Sequence, residues 1–331
     1  MAHIDGTAAS QAPTHDSDDS NQQANSHPTG CEQQCRKQHT SDTAHNFPED
    51  ARPLGGRKSR YSHNLLGYNS LRQAAGSVAT GLQSVSMSQT SQAITHTPAE
   101  VVRMAPVTQA TNGICYAVAG EVTASANDLE RLVSTVPRTI AAALGRKAYY
   151  FVPLTLNLGD ETLIADRYDV QLSDSAICHR DHTLGDSQCV FISTRLMEDS
   201  FAIAFEFFIN IGHNFVDQIG VSQEFADLVW KQVQDKARGE TSMDAYELRK
   251  VATTNGPEAE KARHEYQLAT FADAIAIYLL SLHLDVDYHE LRERDYPLLA
   301  PAALGERLRK INELFPPNSG YEFAIYHRRR Q

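Results

Sequence analysis

Glu206, Asn210, His213, Asn214 and Asp217 follow one another at steps of three and four along the segment 200–220, SFAIAFEFFINIGHNFVDQIG. At about 3.6 residues per turn, this spacing puts all five on one face of a helix. Carboxylates and an imidazole held side by side can ligate a metal or form a hydrogen-bond network. The rest of the segment, from Phe201 to Val216, is apolar nearly all round, which predicts a buried helix. A charge on a buried helix has to be paired, metal-bound or neutral, because an isolated one costs several kcal/mol. In the plainest arrangement Asn210 and His213 are satisfied by Glu206, Asp217 or backbone, and the spacing of four between His213 and Asp217 suits a local pair.

Two other groups have chemistry-bearing residue types. Cys178, His179, Arg180, Asp181 and His182, with Cys189 beyond, combine thiols and imidazoles in what reads as a polar loop closed near Gly185. A thiol beside an imidazole can become a nucleophile. No oxyanion-hole glycine motif accompanies it, so an ordinary exposed loop is the competing reading. Cys31, Cys35 and His39 have the types of a zinc site but sit in a low-complexity stretch with nothing apolar to fold around a metal. The chain carries no Gly-x-x-x-x-Gly-Lys, Gly-x-Gly-x-x-Gly or Gly-x-Ser-x-Gly, which removes the main support for nucleotide, dinucleotide and serine-hydrolase functions.

The elements that must position these residues can be read from periodicity and caps. A short helix is expected at 98–104 and a strand at 114–122. Ser125 with Asp128 opens a helix to about Leu144, which Pro137 kinks or restarts and Gly145 stops. YYFVPLTL at 149–156 has strand propensity, with Pro153 favouring an edge or bulge. Residues 157–160 read as a turn, and 162–165, 167–172 and 188–193 as strands. Four helices are expected to follow: the buried one, then 222–238 stopped by Gly239, 257–282, and 302–314 closed by Pro316 and Pro317. The fold class is α+β: a small strand-rich subdomain, then a helical one.

Composition sets the limits. Of 331 residues, 41% are apolar, and they are concentrated after about residue 95. The segment 1–95 is rich in Ser, Thr, Gln, Asn, Gly and His, and is expected to be disordered because it buries too little to offset its ordering entropy. The folded part is expected to span 96–327. A net charge of −11 argues against nucleic-acid binding. The basic runs at 52–60 and 328–330 read as solvated, chaperone-facing or localising segments. No apolar run reaches the roughly 18 to 20 residues of a membrane span. The N-terminus lacks the basic and apolar regions of a Sec signal peptide. Five cysteines (31, 35, 115, 178 and 189) suit reduced thiols rather than a disulfide framework.

Zinc peptidases that carry His-Glu-x-x-His on a helix bind the metal through two imidazoles one turn apart and use the Glu to activate water. The frame ending at His213 reads Ile209-Asn210-Ile211-Gly212-His213. The strand CVFIS at 189–193, the run IGHNFVD at 211–217, a spacer with Phe225 and Trp230, and ATFADAIAIY at 269–278 follow in order. Over about 150–285 the chain resembles the toxin-type zinc metallopeptidases of the anthrax lethal factor kind. The resemblance implies a zincin-like active helix. It places His213 at the second zinc ligand, Ile209 at the first, Asn210 at the general base, Ala269 at the third ligand, and Asp273 at a supporting carboxylate. Ile cannot ligate zinc, and an amide does not take a proton from water. The fold is therefore expected to be kept and the peptidase motif degenerate. A rebuilt zinc set would use His213, Asp217, Glu265 and Asp273; otherwise no cofactor is expected.

The polar N-terminal segment resembles the export segment of type III secretion effectors. Together these features lead to an expectation of a secreted bacterial effector. It would leave the bacterial cytoplasm with a secretion chaperone on its tail and bind a host protein in the former substrate cleft. The alternatives are an active metal-dependent peptidase with an unorthodox ligand set around His213, and a non-enzymatic helical interaction domain.

Overall fold

The computed structural model describes residues 93–159, 161–197, 200–284 and 296–325. The expectations for 1–92, including Cys31, Cys35 and His39, and for the basic runs at 52–60 and 328–330 lie outside these residues. Structure begins with β1 (Thr95–His96) and α1 (Pro98–Met104), which Thr97 and Glu100 close with a reciprocal capping box.

The strands build two sheets. β2 (Thr108–Gln109), β3 (Cys115–Val118), β4 (Lys147–Val152), β9 (Ser187–Ser193) and β8 (His179–Leu184) lie side by side in that order. The middle three run parallel, and the two edges are antiparallel. β1, β6 (Glu161–Ala165), β5 (Leu154–Leu158) and β7 (Ala176–Ile177) form a smaller antiparallel sheet. The expected strand at 149–156 is two strands. Proline has no N–H for the ladder, and at Pro153 the chain passes from one sheet to the other.

β4 is apolar on both faces because both are covered. Tyr149 and Phe151 face the main core, while Tyr150 and Val152 join Val101, Ala105 and Phe191 in a second cluster.

Of the two outcomes open at Pro137, the structure has the restart: α2 (Ala126–Ser134) is followed by α3 (Arg138–Ala143), with Pro137 itself at the N-cap. The segment 167–172 is a turn and not a strand: the Asp169 carboxylate accepts from Gln171 N–H at 2.9 Å, which folds the chain back on itself. The polar loop expected around 178–182 is largely strand β8, which pairs with β9 from His179↔Ile192 to Leu184↔Ser187, with Gly185 at φ +58° in the connecting turn.

The helical half contains α4 (Ser200–Ile219), α5 (Gln223–Gln234), α6 (Met243–Ala252), α7 (Ala259–His283) and α8 (Pro301–Leu314). Helix α6 was not expected. Ser242 caps it by accepting from Ala245 N–H at 3.1 Å.

Helix α4 is buried as its composition predicts and packs along α7. At Gly212 the two backbones are so close that a Cβ would lie 2.5 Å from the Ala272 carbonyl oxygen. A second anchor lies at Glu240, whose carboxylate meets Arg307 of α8 at 3.0 Å, Arg249 of α6 at 2.9 Å and the Tyr266 hydroxyl of α7 at 2.8 Å. Among the described residues no helix is long and apolar enough to cross a membrane.

Candidate functional site

The polar stripe of α4 divides between two environments. Glu206 and Asn214 turn toward the sheet, and Asn210 bonds back to its own helix. The Glu206 carboxylate pairs with His179 of β8. Asn210 is 5% exposed, and its amide donates to the Glu206 carbonyl at 2.9 Å. The Asn214 amide donates to the Tyr149 hydroxyl at 3.1 Å and accepts from Lys147. All three are polar groups with partners; the backbone bond of Asn210 is of the kind the network reading allowed, and the pairings of Glu206 with His179 and of Asn214 with Tyr149 and Lys147 were not expected. Burial pulls the Lys147 ammonium below its usual range, opposed by the charges of Asp181 and Asp217. Burial also lowers the His179 imidazole, but the Glu206 hydrogen bond and charge outweigh it and leave the pKa raised.

His213 and Asp217 face the other way. With Val216 they line one wall of a cavity of about 300 Å³. Helix α7 supplies the opposite wall through His264, Leu268, Ala269 and Asp273, and α6 closes a side with Ser242 and Asp244. Asp273 is buried, and Oδ2 accepts from Thr241 Oγ1 at 2.7 Å. Asp244 is half-buried; Asp217 and His264 are exposed at the rim. Asp217 thus departs from the expectation of a wholly buried stripe, because it lies near the end of α4 where the helix leaves the core.

The residues named from sequence are therefore only partly gathered. His213, Asp217, Ala269 and Asp273 share the cavity. Asn210 is held inside α4 and Glu265 is half-buried; neither is among the lining residues. Helix α7 carries Glu265 one turn before Ala269, but His264 rather than Glu265 is on the side that meets the cavity. Zinc takes three or four ligands at about 2.0 to 2.3 Å. Among the described residues no three His, Cys, Asp or Glu side chains form a group able to hold a metal ion. The side chains at positions 209 and 269 offer no ligand atom. The residues present do not fit zinc.

Ser242, Asp244 and His264 were not singled out in the sequence. For Ser242 and Asp244 the signal was local and weak: a Ser N-cap and an acidic first turn mark the start of α6. Ser242 and Asp244 follow directly on the Glu240 network, whereas His264 is carried by α7. The cysteine cluster is also clarified. Burial, aided by the Glu206 charge, pushes the Cys178 thiol up to about 11, and burial raises Cys189 to about 11. That is the opposite of what activates a nucleophile.

No family model, curated protein or solved structure matches the chain.

Proposed function

We propose that residues 96–327 form a metallopeptidase-like domain of a secreted bacterial effector, which binds a segment of a host protein and does not cut it. The observation that carries this reading is the cavity between α4 and α7 beside His213. It lies where the resemblance puts a peptidase's second and third zinc ligands, and Ala269 stands at the third position. The order β9, α4, spacer helices, α7 supports the same reading. A plain helical module does not require a cleft between these two helices. The Ser- and Gln-rich stretch before residue 93 supports export by a type III-like route, with a secretion chaperone as a second partner and the host cell as the place of action. A net charge of −11 disfavours nucleic acid as the partner.

The test is site-specific photocrosslinking. The full chain, with benzoylphenylalanine at Leu268 or at Val216, is exposed to host cytosol. The proposal expects the same host protein from both positions, and its loss when Ala269→Trp fills the cavity. No partner, or a partner captured equally from the Lys310 position on α8, overturns it. Elemental mass spectrometry on the same protein tests the active-peptidase alternative. Near-stoichiometric zinc that disappears in His213→Ala would replace the binding reading with a catalytic one.

A further inference from the structure

We infer that Asn255 is a self-modifying site, at which the main-chain nitrogen of Gly256 converts the side-chain amide into aspartate and isoaspartate through a cyclic imide. The site lies in the connection between α6 and α7, away from the residues that line the cavity, and does not depend on the role of the cleft. An Asn followed by Gly occurs twice in the chain, at Asn112-Gly113 and at Asn255-Gly256. The fold treats the two pairs in opposite ways.

Asn112 is 8% exposed and its amide is engaged at both ends. Nδ2 donates to the Val133 and Val136 carbonyls at 2.8 and 2.9 Å, and Oδ1 accepts from Ile114 N–H at 3.2 Å. The nitrogen that would attack it, Gly113 N, is itself tied to the Ala110 carbonyl at 2.9 Å. Asn255 and Gly256 are both exposed. Among the described residues no hydrogen bond holds the Asn255 amide. Gly256 N–H donates to the Thr254 hydroxyl at 3.4 Å, a long bond to a side chain of the same loop. Glycine leaves that nitrogen unshielded: even an added Cβ would find no neighbour nearer than Thr254 Oγ1 at 3.6 Å.

The chemistry follows from this freedom. Gly256 N gives up its proton to solvent and attacks Asn255 Cγ. The N–Cγ bond forms, the Cγ–Nδ2 bond breaks, and ammonia leaves with a proton returned from solvent. Water then opens the imide. Cleavage at Cγ gives aspartate at 255; cleavage at the main-chain carbonyl gives isoaspartate, in which the chain runs through Cβ and Cγ. Nothing is oxidised or reduced, and water is the co-reactant. Both products place a new carboxylate ahead of the N-terminus of α7, where negative charge is favoured. The isoaspartyl form also lengthens the chain just before Gly256, whose carbonyl accepts from Ala259 N–H at 3.1 Å at the start of α7.

The test incubates the full chain at mildly alkaline pH and digests it with trypsin. The peptides that carry the two pairs, 251–261 and 104–131, are followed by liquid chromatography and mass spectrometry. The 251–261 peptide is expected to gain the mass of an amide-to-acid change and to split into aspartate and isoaspartate products. It should do so at least about tenfold faster than Asn112 changes in the same molecules. In urea the two asparagines should convert at similar rates, since the protection of Asn112 belongs to the fold. Gly256→Ala, for which the loop has space, should slow the reaction at Asn255 by about tenfold or more and leave the circular dichroism unchanged. An Asn255 that stays an amide overturns the inference. So do equal rates at the two sites in the folded chain, or an unchanged rate in Gly256→Ala. Aspartate with no isoaspartate also overturns it, because direct hydrolysis without the imide gives that product alone.

Discussion

Arg307 on α8 and Glu240, at the start of the loop leading into α6, form an ion pair at 3.0 Å with side chains 1% and 0% exposed. Gln232 accepts from Arg307 Nε at 2.8 Å, and the Tyr266 hydroxyl is 3.2 Å from Nη2. Every helix from α5 to α8 contributes a group to this knot. Thr241, which holds the buried Asp273, is the next residue along, so the knot anchors the segment beside the cavity's buried carboxylate.

Removing one partner from a buried pair leaves an uncompensated charge. Arg307→Ala is expected to destabilise the domain by about 3–5 kcal/mol. Urea unfolding followed by circular dichroism checks it, and a loss below about 1 kcal/mol would mean that the other groups of the knot compensate.

Gly212→Ala separates packing from helix propensity. In an exposed helix the change would stabilise by up to about 1 kcal/mol. Here the new methyl would meet the Ala272 carbonyl at 2.5 Å, and both atoms belong to rigid helices. A loss of about 1–3 kcal/mol is expected, read as a lower melting temperature. A rise in melting temperature would show that α4 and α7 are not this close.

Two histidines should oppose each other in pH dependence. Burial, with the nearby Arg131 charge, lowers His283 to about 4, below the usual value near 6.5. The unfolded chain therefore takes up more protons at this site between those values, and its contribution to stability is present above about pH 6.5 and lost as pH falls toward 4. His179 is raised, so its contribution is present below about pH 6.5 and lost as pH rises through its folded value. His283→Phe should flatten the acid side of the stability profile by about 1–2 kcal/mol, partial exposure reducing the full linkage value. Histidine NMR titration assigns the two sites directly, and His283 protonating near pH 6.5 would refute the first of them.

Cys178 and Cys189 should alkylate slowly. With both thiols raised to about 11, little thiolate exists near neutral pH. Site-resolved mass spectrometry after iodoacetamide treatment at pH 8 should find both largely unmodified when a free small-molecule thiol has fully reacted. Rapid labelling of Cys178 would reopen the nucleophile reading of the 178–182 segment.

The resolving power of the sequence lay in its local patterns. Helix α4 was legible because its apolar run and polar stripe follow a single helical period, and α7 and α8 because their lengths and stops are written in nearby residues. β9 and the restart at Pro137 were legible for the same reason: strand propensity and missing N–H groups act within a few residues. Helix α6 escaped because its ten residues bury little besides Ala245 and Ala252. β8 escaped because a charged edge strand reads like a loop until its partner is known.

What only the tertiary structure decided is which polar residues meet. The stripe predicted that five groups share a helix face. It did not say that Glu206 and Asn214 would turn into the sheet while His213 and Asp217 face α7. Nor did it pair Glu240 with Arg307 across 67 residues, or bring Asp244 of an unexpected helix beside Asp273. Helical period and capping are short-range and survive in the sequence alone. The meeting of distant carboxylates depends on how helices stack, and at Gly212 that rests on one missing methyl group.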